Sequence, residues 1–380
     1  MPSVSKWLSA QRKNILLSLV SILVTLLLGE ACLQIYYRWS MKSWLWNYNA
    51  FHVTFVAPVN DRRQYALRPG FSDSQIGVTV NQKGLRAPAT MSEPDRQTPV
   101  VVSLGDSKAF GSGVRDEETY SFQLDQTLKS KGSQLRAVNA GVASYNMRQS
   151  LDRFRLDVLP NYTPAVVTLQ ATFNDISLLT YYREQWNPER TWADVRYAGF
   201  TPPLPVMQKL ATVYYLNRAA ASRSQQGGSR GQDVTYQPFA DAAMLAHLHG
   251  EMESFIASCK EKSIPVVLIP IDPFYYQTAN MEKNPTLPLW AQDQKYVELW
   301  RDMISHYDSL LVELSDKHDL VYFFDTRKLM DATDRGKMYV DAFHYSPEGN
   351  RLVAEGLYEF LSKENLLAPK ASAPQSGAGK

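Results

Sequence analysis

The chain is poor in cysteine: Cys32 and Cys259 are the two in 380 residues. One lies in an N-terminal apolar segment and the other on an expected helix. No disulfide is expected, and no Cys-x-x-Cys metal site exists. Charge of one sign is also lacking. Lys and Arg number 40 against 38 Asp and Glu, a net charge of +2. With no basic stripe interleaved with aromatics, no nucleic-acid partner is expected. There is no His-Glu-x-x-His, no Walker-type loop and no dinucleotide Gly fingerprint. No Gly-x-Ser-x-Gly elbow joins an expected strand to an expected helix, which argues against the α/β-hydrolase fold. His247-Leu248-His249 could pair on a metal, but positions i and i+2 of a helix face different ways. One packed and one surface His are the expectation. His306 and His318 fall on an expected helix and read as solvated.

No acidic residue occurs before Glu30, while Lys6, Arg12 and Lys13 precede an apolar run from Ile15 to Leu28. Positive charge ahead of such a run keeps the N-terminus in the cytoplasm and exports the rest of the chain. The run alone is short for a bilayer, which needs about 20 residues. Continued through Ala31 to Tyr37 it is long enough. Tyr36, Tyr37, Trp39, Trp44 and Trp46 would form an aromatic belt at the outer interface. A signal-anchor over residues 1–39 is the expectation, with the catalytic domain outside the cytoplasmic membrane. Two alternatives stay open. Gly29-Glu30-Ala31 could serve, poorly, as a signal-peptidase site, and Cys32 could carry a lipid.

Residues 40–98 read as a loosely structured pre-domain. Pro58, Pro69, Gly70, Pro88 and Pro94 punctuate it, around a short strand-like Gly77–Val80. From residue 99 the pattern alternates. Strands are expected at Val100–Leu104, Leu135–Asn139, Ala165–Gln170, Ile264–Ile271 and Leu320–Phe324. Helices are expected at Glu117–Lys131, Asn146–Leu159, Ala240–Lys262, Asp293–His318 and Pro347–Leu361, the last opened by Ser346 as N-cap. Alternation of this kind predicts a parallel sheet covered by helices on both faces, a three-layer α/β/α sandwich of five strands spanning 99–365. Residues 366–380 are small and polar, and read as a disordered tail.

Three short stretches carry chemistry. They are Leu104-Gly105-Asp106-Ser107, Phe173-Asn174-Asp175 and Asp341-Ala342-Phe343-His344. A Ser needs a base to take its proton, and the base needs a third group to hold its tautomer. Ser107, His344 and Asp341 are that minimum set. Ligands of open α/β sheets bind beyond the carboxyl ends of the strands, which is where Ser107, Gly141 and Asn174 fall.

The order Ser, Gly, Asn, Asp-x-x-His resembles the SGNH (GDSL-type) hydrolases over roughly residues 98–362. Val80-Asn81-Gln82-Lys83-Gly84-Leu85-Arg86 is similar to the pre-domain segment of membrane-anchored bacterial members. The stretches Gly111–Val114 and Glu118–Tyr120 look like them too. The resemblance implies a flavodoxin-like strand order and acyl-ester chemistry through an acyl-enzyme. It implies an oxyanion hole made by the N–H groups of Ser107 and Gly141 and the amide of Asn174. No cofactor or metal is implied. Two positions depart from the family pattern. Thr172 stands where the family has Gly, and would crowd the oxyanion site unless its side chain turns away. Lys108 comes after the nucleophile where many members have an apolar residue. It could favour an anionic substrate, or be a solvated Lys on a first helical turn.

Residues 177–238 break the alternation just after the Asn-Asp block. They hold Tyr181, Tyr182, Trp186, Trp192 and a flexible run at 224–231. Long insertions in compact domains are usually functional or disordered. A lid whose Tyr181, Tyr182 and Trp186 bind substrate is the expectation, and a packing appendage is the alternative. Together these readings point to an esterase or deacetylase of the cell envelope acting on a small-molecule or glycan ester. Further partners would be the membrane, through the N-terminal helix, and other polysaccharide-modification proteins of the envelope. An O-acetyltransferase for an exported polysaccharide and an inactive scaffold remain as alternatives.

Overall fold

The computed structural model describes residues 4–41, 55–182, 185–192, 210–213, 215–216, 238–271, 294–331, 335–341 and 343–368. By contacts the chain divides into two units, Met1–Val53 with Val195–Gln232, and Thr54–Asp194 with Asp233–Lys380.

In the first unit, α1 (Val4–Met41) contains an apolar window, Asn14–Tyr36, of 23 residues. It is long and apolar enough to cross a membrane, and Gln34 alone of the window is buried. Residues 211–213 and 215–216 are helical and belong to the same unit.

The second unit begins with two small antiparallel pairs, β1 (Val56–Pro58) with β2 (Tyr65–Leu67), and β3 (Ser72–Asp73) with β4 (Val78–Thr79). Next come β5 (Pro99–Gly105), α2 (Ser107–Phe110), α3 (Tyr120–Ser130), β6 (Arg136–Asn139) and α4 (Met147–Arg153), then β7 (Thr163–Gln170) and α5 (Phe173–Tyr182). After the insertion come α6 (Pro238–Glu261), β8 (Val266–Leu268), α7 (Gln294–Lys317), β9 (Val321–Phe323), α8 (Thr326–Asp331), α9 (Arg335–Met338) and α10 (Pro347–Lys363). The main sheet runs β6-β5-β7-β8-β9, every pairing parallel. In order of appearance that is 2-1-3-4-5, the flavodoxin-like arrangement with a switch point beside the first strand. Val100, Val101, Val102 and Leu104 are fully buried, as continuous apolar strands require when helices cover both faces. One core layer joins Leu104, Leu169 and Leu268 to Leu151, Phe255 and Trp300. The other joins Val101, Val166 and Val267 to Leu124, Leu128 and Leu357.

Two readings change. The helix expected over 146–159 is α-helical only to Arg153, and residues 154–158 form a π turn. Residues 55–98 are not loose. Phe55, Tyr65, Leu67, Val78, Val80 and Leu85 are buried, and the segment is pinned by charge. Arg86, 3% exposed, donates from Nε to Asp116 Oδ1 at 2.7 Å. It also donates to the carbonyls of Phe110 (2.9 Å), Gly111 (2.8 Å) and Val114 (2.8 Å). Its guanidinium lies 4.4 Å from the centre of the Phe110 ring. A buried cation must be paired or fully hydrogen-bonded, so this one folds the segment onto the loop behind Ser107.

Candidate active site

Gly105 ends β5 with φ of 147°. A Cβ there would lie 1.8 Å from the Gln170 carbonyl oxygen of the neighbouring strand, so only Gly allows the turn. Asp106 is the N-cap of α2, its Oδ1 accepting from the Lys108 N–H at 3.0 Å. Ser107 is therefore the first residue of a helix at the carboxyl end of the sheet. Its N–H has no carbonyl one turn earlier to bond.

His344 is brought up by a tight turn. Asp341 Oδ1 accepts from the backbone N–H groups of Phe343 (2.7 Å) and His344 (2.8 Å). That turn leaves Asp341 Oδ2 at 2.8 Å from His344 Nδ1. The other ring nitrogen, Nε2, lies 2.9 Å from Ser107 Oγ. Phe343 packs against Phe173 at the start of α5, ring centres 4.7 Å apart, which ties this loop to the Asn174 loop. Burial works to raise the Asp341 pKa. The His344 hydrogen bond and charge, with the two backbone N–H groups, outweigh it and hold the carboxyl below its ordinary value. Asp341 thus stays ionised at neutral pH, and a carboxylate on Nδ1 leaves Nε2 able to accept the Ser107 proton.

Asn174, 6% exposed, donates from Nδ2 to the Tyr145 carbonyl at 3.0 Å. An amide carries two such hydrogens, so one remains for a ligand. Tyr145 is itself held by its hydroxyl bond to the Tyr65 carbonyl, and Tyr65 returns a bond to the Ala143 carbonyl at 3.1 Å. Asp175 Oδ2 accepts from the Met147 N–H at 2.8 Å. The pre-domain strand β2 and the first turn of α5 thereby brace the 143–147 loop from two sides.

Gly141, expected as the third oxyanion donor, points its N–H at Asn139 Oδ1, 3.0 Å away. That hydrogen is engaged within the protein. What the position demands is space: a Cβ would sit 2.2 Å from the Phe110 nitrogen. Thr172 holds a φ of 94°, a conformation that suits Gly and strains a β-branched residue. Its side chain is fully buried beside the Tyr307 hydroxyl of α7.

Lys108 is neither solvated nor open to a ligand. It is 6% exposed, and its Nζ lies 4.4 Å from the Tyr345 ring centre and 5.6 Å from that of Tyr339. Trp186 packs against the core and beside His247. Tyr182 lies under the Arg190 guanidinium at 4.8 Å, and Trp192 donates to Ser177 Oγ at 3.2 Å. All three aromatics are thus engaged within the protein. The Tyr181 side chain and residues 224–231 lie outside the described residues. His249 and His318 both reach Glu253, at 3.7 and 3.0 Å. Among the described residues no three metal-ligating side chains cluster.

Two buried carboxyls were not singled out in the sequence. Burial pushes Asp106 up to about 6, against the Lys108 N–H. It pushes Asp175 up to about 7, against the Met147 N–H, and the neighbouring Asp106 charge adds to the rise. A cavity of about 270 Å³, lined by Val80, Asn81, Leu85, Met91 and Val138 among others, includes none of the triad.

The family model of GDSL-like lipases and acylhydrolases matches residues 103–352. The chain belongs to this family. It is an ester hydrolase of the SGNH type. Among solved structures, this acylhydrolase is similar to the acetyl xylan esterase AlAXEase, at 20% identity and a TM-score of 0.41, over 69% of this chain and 99% of that one. An acetylxylan esterase from Geobacillus stearothermophilus matches at 13% identity and 0.40, over 70% and 95%. The psychrotrophic esterase EstA from Pseudoalteromonas sp. matches at 14% and 0.39, over 70% and 98%. No curated protein sequence matches the chain.

Proposed function

We propose that this acylhydrolase cleaves short acyl esters through a covalent intermediate on Ser107. The observation that carries the reading is the continuous relay from Asp341 Oδ2 through His344 to Ser107 Oγ, at 2.8 and 2.9 Å. Ser107 Oγ attacks the ester carbonyl while its proton passes to His344 Nε2. The carbonyl oxygen becomes an anion, held by the Ser107 N–H and the second amide hydrogen of Asn174. Each such donor is worth about 2.7–4 kcal/mol. Collapse expels the alcohol, which takes the proton from Nε2. Water, deprotonated by the same nitrogen, then releases the acid and restores Ser107. Asp341 holds the ring and balances its transient charge.

The same reading places the enzyme in the cell envelope. Lys6, Arg12 and Lys13 ahead of the apolar window would keep the N-terminus in the cytoplasm. The window Asn14–Tyr36 would anchor the chain, with the catalytic unit on the far side and envelope polysaccharide esters within reach. The test is incubation of the enzyme with an aryl acetate, with and without an oligosaccharide acceptor. Free acetate as the product in both cases supports the hydrolase. Acetylated oligosaccharide would make the protein a transferase, and absence of turnover on every ester would leave it a scaffold.

A further inference from the structure

Glu30 is an acid inside the apolar window of α1. A carboxylate at that depth is costly unless it is paired or hydrogen-bonded. Its partners come from the insertion, 181 and 182 residues later in the chain and inside the same unit. Oε1 accepts from the Ala211 N–H at 2.6 Å. Oε2 accepts from the Thr212 N–H at 2.9 Å and from the Thr212 hydroxyl at 2.8 Å. Gln34, one turn on, donates its amide to Oε1 at 2.7 Å. Ala211 is fully buried, and the Tyr215 ring meets the Tyr36 ring with centres 5.9 Å apart.

These bonds fix a depth. A window of 23 residues is about 34 Å long at 1.5 Å per residue. Centred in hydrocarbon about 30 Å thick, it puts residue 30 roughly 7 Å inside the edge nearer Tyr36. Backbone groups bonded to Glu30 share that position. Apolar side chains of both segments are open: Leu216 is 64% exposed and Leu210 38%, and Ile35, Tyr36 and Trp39 of α1 are exposed as well.

We propose that residues 210–213, 215 and 216 are a second membrane contact of this enzyme, clamped to the anchor by Glu30 and seated among the lipids at the C-terminal end of the span. The proposal rests on reading α1 as a membrane anchor. The occupant of this apolar face is the bilayer, because the segment is hydrogen-bonded to a residue of the span itself. The insertion is then not a free flap.

The test uses the full chain in phosphatidylcholine–phosphatidylglycerol vesicles. Cys32→Ser removes the exposed thiol. Cys259 is buried, with its thiol pushed up to about 12, so it resists labelling. A single environment-sensitive fluorophore is placed by Leu216→Cys or, separately, by Leu23→Cys in the middle of the span. Lipids spin-labelled near the headgroup should quench the label at 216, and Glu30→Ala should abolish much of that quenching. Deep spin labels should quench the label at 23 in both backgrounds. Quenching at 23 with none at 216 overturns the proposal and leaves the anchor standing. So does quenching at 216 by aqueous iodide alone, or shielding from both quenchers, which would assign the face to water or to a protein partner. Absence of quenching at 23 overturns the anchor, and the proposal with it.

Discussion

Arg86→Ala is the perturbation that asks most of this fold. The side chain is 3% exposed, and its partner Asp116 is 4% exposed. Removing one member of a buried pair leaves the other charge without compensation, at about 3–5 kcal/mol. The carbonyls of Phe110, Gly111 and Val114 would also lose a donor. Each buried orphan costs about 1–3 kcal/mol, though these losses overlap and do not simply add. Against a total stability of about 5–15 kcal/mol, the variant should unfold at a much lower urea concentration. Activity should fall as well. Phe110 and Gly111 form the end of the short helix that starts with Ser107, and misplacement of a reacting group by about 1 Å costs about 10²-fold. The assay is a urea titration monitored by near-UV circular dichroism, beside aryl acetate hydrolysis under folding conditions. Asp116→Ala and the double variant complete the cycle, and the double should cost less than the sum of the singles. An unchanged unfolding midpoint in Arg86→Ala, or strictly additive singles, would refute the reasoning.

Asn174→Ala should keep the fold and lower kcat by about 10²–10³ with little change in KM. An equal loss in KM alone would show a substrate contact rather than an oxyanion donor. Thr172→Gly relieves a φ of 94°, so it should shift stability by less than about 1 kcal/mol, since the relieved strain of about 1–3 kcal/mol offsets the lost packing. Thr168→Gly, in the buried strand β7, has no strain to relieve, and urea midpoints that fall equally in the two variants would count against strain at Thr172. Asp106 and Asp175, pushed up to about 6 and about 7 by burial, hold protons in the folded state that the unfolded chain releases near pH 4. Stability should therefore fall as pH rises from about 4 through 7. Asp175→Asn keeps an acceptor for the Met147 N–H and should flatten that fall by on the order of a few kcal/mol. Parallel profiles for the variant and the parent would remove Asp175 from the account.

The central strands were legible because a parallel sheet buried on both faces needs unbroken apolar runs, as in Val100–Val102 and Val166–Leu169. Strand order came from family resemblance rather than from any run of residues. The order of residues 55–98 was not legible for a physical reason: it rests in part on Arg86, and hydropathy scores a buried Arg as it scores an exposed one. Lys108 was misplaced in the same way, since nothing near it in sequence announces that Tyr339 and Tyr345 cover it. The π turn at 154–158 keeps its apolar residues in place and changes only the hydrogen-bond register, which side-chain periodicity does not report. At the site, the motifs named the groups that the fold brings within hydrogen-bond distance: Ser107, His344 and Asp341. They did not show that Asn139 Oδ1 engages the Gly141 N–H, which depends on the turn after β6. They also did not show that Tyr65, some 80 residues upstream, supports the loop that holds Asn174.

The central claim is that Ser107 is the nucleophile of an acyl-transfer relay. The most direct measurement is the initial rate of acetate release from an aryl acetate by Ser107→Ala beside the parent, both shown folded by near-UV circular dichroism. Loss of a triad member in such enzymes removes catalysis by factors of up to about 10⁶, so the variant should fall to background. A folded Ser107→Ala protein that still releases acetate at a rate comparable to the parent would contradict the account.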